Sequence, residues 1–289
     1  MHDLTYSVVR TCKENRDGSF STISARKRTL VQAAEQLHEL GFKGMKQAKQ
    51  LKPKHVWALV SHWKASGVTS ATMKNRMSHL RWLAQKTNND SLVAKDNSYY
   101  EIDKRSYVTN VDKSVVFDEQ KVAAIFDPHI RLSAELQKHF GLRREEAMKF
   151  IVVKADKEHE IQLQGSWTKG GKPRTIPIRN DAQRELLNRV HKFCGNGSLI
   201  PSNRTYVQHQ RLFEKEMHSV GLGRTHGARH LYAQDRYFEL SGRLAPAKGG
   251  LRRKDMSEPE RKQDDEFRLT ISRELGHERI AIVAVYIGS

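Results

Sequence analysis

The sequence predicts a mainly α-helical protein with a small β-sheet (α+β), in two parts. These are a helical N-terminal domain with its linker over 1–105, and a larger domain over 106–289. Three observations lead there. The first hundred residues carry apolar side chains at helical spacing. A polar stretch within Asn88–Lys113, holding Asn-Asn-Asp and Asp-Asn-Ser turns, then breaks the periodicity as a linker does. Beyond it, short apolar or alternating runs sit between helical segments, as in a small sheet inside a helical domain.

In residues 22–40, Ile23, Leu30, Val31, Ala34, Leu37 and Leu40 recur at helical spacing, and Gly41 supplies the stop. A second helix is expected over Lys54–Ser66, with Val56, Trp57, Leu59, Val60 and Trp63 inward. Pro53 stands at its start, where a missing N–H costs nothing, and Gly67 closes it. Thr69 or Ser70 caps a third helix, whose Met73, Met77, Leu80 and Leu83 form one face. Lys74, Arg76, Arg81 and Lys86 decorate its other faces, and the first three are candidate DNA contacts. No element is expected before residue 22.

In the second domain, helices are expected near Asp118–Ile125 and Arg131–Phe140. Three runs read as strands: Lys149–Val153, His159–Gln164 and Thr175–Ile178. Helices resume at Asp181–Phe193 and Tyr206–Val220. The stretch Leu244–Asp265 is basic, bears Gly and Pro, then becomes highly charged, which predicts a surface loop or partly disordered insert. A helix over Phe267–Glu274 and a short apolar one over Ile280–Tyr286 end the chain.

Lys and Arg number 51 against 33 Asp and Glu, a formal net charge of +18. Such a field selects nucleic acid or an anionic membrane as partner. No apolar run approaches the roughly 18 residues of a membrane span, and the first residues do not read as a signal peptide. The expectation is a cytoplasmic, nucleoid-associated protein that binds DNA. Cys12 and Cys194 lie far apart with no CxxC, so they read as ordinary reduced thiols.

Five boxes carry the chemistry. Gly141-Leu142-Arg143-Arg144-Glu145-Glu146 offers a guanidinium, whose plane matches two phosphoryl oxygens at once, and a carboxylate to orient a neighbour. Read alone, the same box also fits a surface ion-pair cluster. Thr168-Lys169-Gly170-Gly171-Lys172-Pro173-Arg174 lies between strand-like runs, so it reads as a hairpin tip able to reach a groove. A lysine there can protonate a leaving hydroxyl. Lys169, Lys172 and Arg174 compete for that role; the last two better suit DNA-backbone contacts. His226-Gly227-Ala228-Arg229-His230 puts His226 and Arg229 three apart, on one helical face, where both can hold one phosphate. His226 and His230 are also spaced for a metal, yet no Glu stands between them and no third ligand is near in sequence. His230 is instead expected as a hydrogen-bonding structural residue. Leu275-Gly276-His277 follows a helix, and Tyr286 comes nine residues after His277, at the end of an apolar stretch.

Taken in order, Arg143, Lys169, His226, Arg229, His277 and Tyr286 resemble the site of the tyrosine recombinases of the phage-integrase family. The resemblance covers residues from about 115 onward in detail. The N-terminal bundle is similar to that family's SAM-like core-binding domain in architecture alone. It implies a C-shaped clamp on DNA and a site-specific recombinase, an integrase that moves a mobile element. Tyr286 would attack a phosphodiester to give a 3′-phosphotyrosyl link and a free 5′-hydroxyl. Arg143 and Arg229 would stabilise the transition state, Lys169 would act as general acid, and His226 and His277 would position the phosphate. Glu146 and His230 would support them. No metal or other cofactor is implied, and the implied partners are double-stranded DNA, a homotetramer on that DNA and accessory DNA-bending proteins. Two departures stand out: Arg229 and His277 are separated by an excess of chain carrying Arg252, Arg253 and Lys254, and the family's C-terminal docking tail is not visible. A type IB topoisomerase uses the same residue set, a catalytically silent DNA-binding regulator could share the fold, and a basic structural or RNA-binding protein would have no use for Tyr286.

Overall fold

The structure, a computed structural model, describes residues 2–289, which divide into two compact units, up to Ser106 and from Tyr107. The first unit is four helices: α1 (Asp3–Glu14), α2 (Phe20–Glu39), α3 (Pro53–Ala65) and α4 (Ser70–Lys86). The side chains of Ser19 and Thr69 accept from the amides of Thr22 and Thr72, which caps α2 and α4. Pro53 opens α3. Leu30, Leu37, Leu59, Val60, Trp63, Met77 and Leu80 are buried, and Leu4, Val8 and Cys12 of α1 close over them. Each fully buried Leu contributes about 1.5–3 kcal/mol, so packing rather than propensity holds this bundle.

Helix α1 was not expected from the sequence, because it brings only three apolar residues to the core. Two of the expected DNA contacts on α4 are also partly committed elsewhere. The Arg76 guanidinium lies over the Trp63 ring, 4.9 Å from its centroid. Arg81 donates from Nε to the Ala94 carbonyl (2.9 Å) and from Nη2 to Asn97 Oδ1 (2.6 Å), which ties down the loop after α4. Lys74 is half-buried.

The second unit opens with α5 (Glu119–Ala123), α6 (Pro128–Phe140), α7 (Arg144–Met148) and α8 (Val152–Ala155). An antiparallel hairpin follows, β1 (Glu160–Leu163) and β2 (Arg174–Pro177), with Leu163 opposite Arg174. Then come α9 (Asp181–Cys194), α10 (Tyr206–Ser219), α11 (His226–Ser241), α12 (Glu258–Glu274) and α13 (Ile280–Ile287). Phe140, Phe150, Ile161, Leu187, Ile271 and Val283 are among the side chains of its main core.

Two expectations for this unit fail. Lys149–Val153 is not a strand: Ile151 is extended only as the cap of α8, into which Val152 and Val153 fall. The β-branched run suggested a strand, but the segment is buried by packing on α9, not by ladder pairing. Leu244–Asp265 is structured as well. It forms short 3₁₀ turns at Pro246–Lys248 and Arg253–Asp255, and from Glu258 it is already helix α12. Asp264, inside the supposed insert, is buried: it pairs with Arg268 (2.6 Å) and accepts from the Tyr237 hydroxyl (2.7 Å).

Candidate active site

Helix α6 ends at Gly141, in the left-handed region at φ 59°. A Cβ there would stand 2.6 Å from Tyr232, so only glycine lets α11 pack against this turn. The chain then turns sharply and Arg143 becomes the N-cap of α7. Glu146, three residues on, reaches back to the Arg143 amide (2.7 Å), as an acidic residue at that position does. The same carboxylate accepts from Arg143 Nη1 (2.7 Å). The backbone turn and the aim of the guanidinium are therefore set by one side chain.

Helix α11 begins at His226 and carries Arg229 and His230 within its first turns. Arg229 is buried at 1 % exposure. It donates from Nη1 to the Gly141 carbonyl (2.5 Å), from Nη2 to the Leu275 carbonyl, and from Nε to the Tyr286 hydroxyl (3.4 Å). Arg143 Nη2 reaches the same Leu275 carbonyl (3.3 Å) and lies 3.2 Å from His277 Nε2. Helix α12 ends at this carbonyl, and Gly276 follows at φ 70°, where a Cβ would sit 3.0 Å from Arg174 Cδ. Helix α13 brings Tyr286 to the centre. The rings of His230, His226 and His277 lie 4.9, 5.9 and 6.4 Å from the Tyr286 ring.

The sequence-predicted residues thus fall into three groups. Arg143, His226, Arg229, His277 and Tyr286 converge, with His230 and Glu146 against them. Lys169 does not join them: it is exposed in the loop between β1 and β2, and among the described residues it has no hydrogen-bond or ion-pair partner. Lys172 is exposed in the same loop. That loop is tied at its base, where the Thr168 hydroxyl donates to the Gly165 (3.0 Å) and Lys172 (2.7 Å) carbonyls.

Arg174 is a correction. As a DNA-backbone contact it should be exposed, yet it is buried, and every nitrogen is engaged. Nη1 and Nη2 bond the two oxygens of Glu146 (2.8 and 2.6 Å), and Nε bonds the Glu274 carbonyl (2.9 Å). Other supports were not legible either. Glu274 accepts from the Tyr232 hydroxyl (2.8 Å) and Arg236 Nε (3.0 Å). Gln234 donates both to Asp112 Oδ1 (2.9 Å) and to the Tyr286 carbonyl (3.2 Å). These partners lie tens of residues apart in sequence, and no local spacing marks them.

Two guanidiniums, Arg143 and Arg174, share the single Glu146 carboxylate, and among the described residues Arg229 stands by without an ion-pair partner of its own, so the site holds surplus positive charge and suits an anion. Burial alone would raise the pKa of Glu146, but Arg174 first, then Arg229 and Arg143, drive it down to about 2. Burial lowers His277 to about 4, aided by Arg229, Arg143 and Arg174. His226 also falls to about 4, through desolvation of its ring and then the charges of Arg229, His230 and Arg143. Both imidazoles are neutral at pH 7, and Arg229 keeps its proton although burial lowers its pKa to about 10. Among the described residues no group of three His, Cys, Asp or Glu side chains is placed to hold a metal ion. A phenol beside a buried arginine, with a second arginine and neutral imidazoles around it, can attack a phosphodiester and neutralise the charge that develops. The arrangement is that of a phosphoryl-transfer site.

Comparison with known proteins agrees. A family model described as phage integrase, N-terminal, matches residues 1–93, and one described as integrase matches residues 104–235. No curated protein matches the chain. Among solved structures, XerH site-specific recombinase bound to difH is 16% identical with a TM-score of 0.57, over 98% of this chain and 80% of that one. A lambda integrase dimer bound to a COC′ core site gives 17% and 0.62, over 98% and 76%. The Tn1549 transposon integrase with circular intermediate DNA gives 14% and 0.55, over 98% and 95%. At such identities the structures speak for the fold, and the family models for kinship. The chain belongs to the tyrosine recombinases of the phage-integrase family. No described helix is long and apolar enough to cross a membrane.

Proposed function

We propose that the protein recombines DNA at a specific site through a 3′-phosphotyrosyl intermediate, integrating or excising a mobile element. The observation that carries this reading is the Tyr286 hydroxyl 3.4 Å from Nε of the buried Arg229, in a site where Arg143 and His277 also converge. Tyr286 attacks the scissile phosphate, the 5′-oxygen leaves, and the phosphodiester energy is kept in the new bond for rejoining. Arg143 and Arg229 stabilise the transition state, doing the charge neutralisation that a metal ion performs elsewhere. Lys169, on its loop, swings in to protonate the leaving oxygen. His226 and His277 hold the non-bridging oxygens. Burial holds these imidazoles down first and arginine charge second; the incoming phosphate offsets the arginine part, so their proton affinity rises when the Tyr286 proton must be taken.

The four-helix unit acts as a core-binding domain, gripping the duplex mainly through phosphates. A lambda integrase tetramer bound to a Holliday junction, 17% identical at a TM-score of 0.55, supports a homotetramer on DNA for this chain as well. Accessory DNA-bending proteins and a place on the nucleoid complete the reading.

The test is to mix the protein with nicked suicide duplexes tiling the DNA that flanks its gene, and to look for an SDS-resistant, protease-sensitive adduct. An adduct at one duplex that vanishes in Tyr286→Phe, with binding retained, is the expected result. Tight sequence-selective binding with no adduct at any duplex would contradict it.

A further inference from the structure

Arg174 is a buried guanidinium beside the site that does not face Tyr286. It opens β2, five residues after Lys169 and directly opposite Leu163 of β1. Its side chain joins three elements. It grips both oxygens of Glu146 on α7 and donates to the Glu274 carbonyl at the end of α12. Glu146 in turn fixes the amide and guanidinium of Arg143. The residue after Glu274 is Leu275, whose carbonyl receives both Arg143 and Arg229. Gly276 then packs against the Arg174 stem.

We infer that Arg174 is a positioning residue. Through Glu146 it aims Arg143, through Glu274 it sets the Leu275 carbonyl and His277, and through its own strand it holds the base of the Lys169 loop to the same frame. The hairpin therefore shares one rigid reference with the arginine and histidine it must meet across a phosphate. A planar, five-donor head is required, because no other side chain can hold a carboxylate bidentately and still donate a third bond to a separate acceptor. The inference rests on the strand-transfer reading above and assigns Arg174 no contact with DNA.

The geometry predicts a specific pH signature. Glu146 faces Arg143 from its own helix, Arg174 from β2, Arg229 from α11 and His277 beyond α12. Arg174 is its chief stabiliser, so in Arg174→Gln burial acts on the carboxylate with that partner gone. Glu146 then takes up a proton at higher pH, and Arg143 loses its acceptor.

The experiment measures adduct formation on a nicked suicide duplex by the full-length protein, from pH 8 to pH 5. Arg174→Gln is expected to cleave about 100-fold more slowly at pH 8, as for loss of one transition-state donor, with duplex affinity within about threefold. The ratio of variant to wild-type rate is expected to fall further towards pH 5. Arg174→Lys, which keeps the charge but not the fork, is expected to stay impaired. A ratio that does not change with pH, or full rescue by lysine, would overturn the inference. If Arg174→Gln fails to fold, the pair is tested on Glu146→Gln: adding Arg174→Lys there is expected to cost little more, and a multiplied loss would overturn it. A wild-type protein that forms no adduct would defeat the strand-transfer reading itself, a result distinct from an active wild type with an unaffected Arg174 variant.

Discussion

The two units bury different chemistry. In the first, the interior is nearly all apolar: among the described residues Arg26 is its one buried guanidinium, lying over Trp82 (4.0 Å), and Arg76 lies half-buried over Trp63 (4.9 Å). In the second, Glu146, Arg174, Arg229, Asp264, Arg268 and Glu274 are all buried. Buried ion pairs add little net stability, since desolvation offsets their attraction. A domain that only grips DNA can leave its charge outside. A domain that must meet a phosphate in a water-poor site has to carry charge inward and fix it with carboxylates. Under the proposed function, the difference between the units is one between binding and chemistry.

The largest effect should come from the centre of the charged cluster. Arg229→Ala is expected to remove covalent adduct below detection, a loss of at least 10²–10³ as for one transition-state donor, while gel-shift affinity changes little. Normal trapping would remove Arg229 from the site. Glu146→Gln should follow. It leaves Arg143 and Arg174 without their shared anion, and breaking such a buried pair costs about 3–5 kcal/mol, readable by urea unfolding. In the apolar unit the counterpart is Leu59→Ala, expected to cost about 2–5 kcal/mol with no change in the pH dependence of cleavage. If it altered that profile, the proposed division of labour would fail.

A smaller effect separates the units by pH. His226, His277 and the fully buried His209 have folded pKa values near 4, below their ordinary 6.5. Their unfolded forms bind protons that the folded ones refuse, so stability is complete above about pH 6.5 and falls as pH drops towards 4. Glu146 has the usual carboxylate sign, and its contribution is lost only below its ordinary 4.5, as pH falls towards 2. Burial lowers His55 and His79 of the first unit in the same direction but less far, so the second unit should weaken first on acidification, as followed by hydrogen exchange. The smallest effect is at the rim: Lys172→Ala should lower the salt slope of DNA binding by about 1 and leave the site's chemistry intact.

What the sequence revealed follows the same divide. Helices α2, α3 and α4 were legible because an apolar stripe at helical period is a local signal. The Gly141, His226, Leu275 and Tyr286 boxes were legible because family chemistry fixes short spacings. Helix α1 was missed since Leu4, Val8 and Cys12 make too thin a stripe. The run from Leu244 to Asp265 was misread because charged residues were assumed to be solvated, whereas Asp264 and Arg268 satisfy one another in the core. Arg174 was misread for the same reason: its carboxylate lies 28 residues away in Glu146. Buried charge is specified by tertiary pairing, and a basic residue in a basic loop carries no local mark of it.

The proposed strand transfer stands or falls on Tyr286 as the nucleophile. The most direct measurement is to digest the adduct formed on a nicked, end-labelled duplex and sequence the nucleotide-bearing peptide by tandem mass spectrometry. The expected product is a 3′-phosphate linked to Tyr286. A nucleotide on any other residue, or a 5′-phosphate linkage, would contradict it.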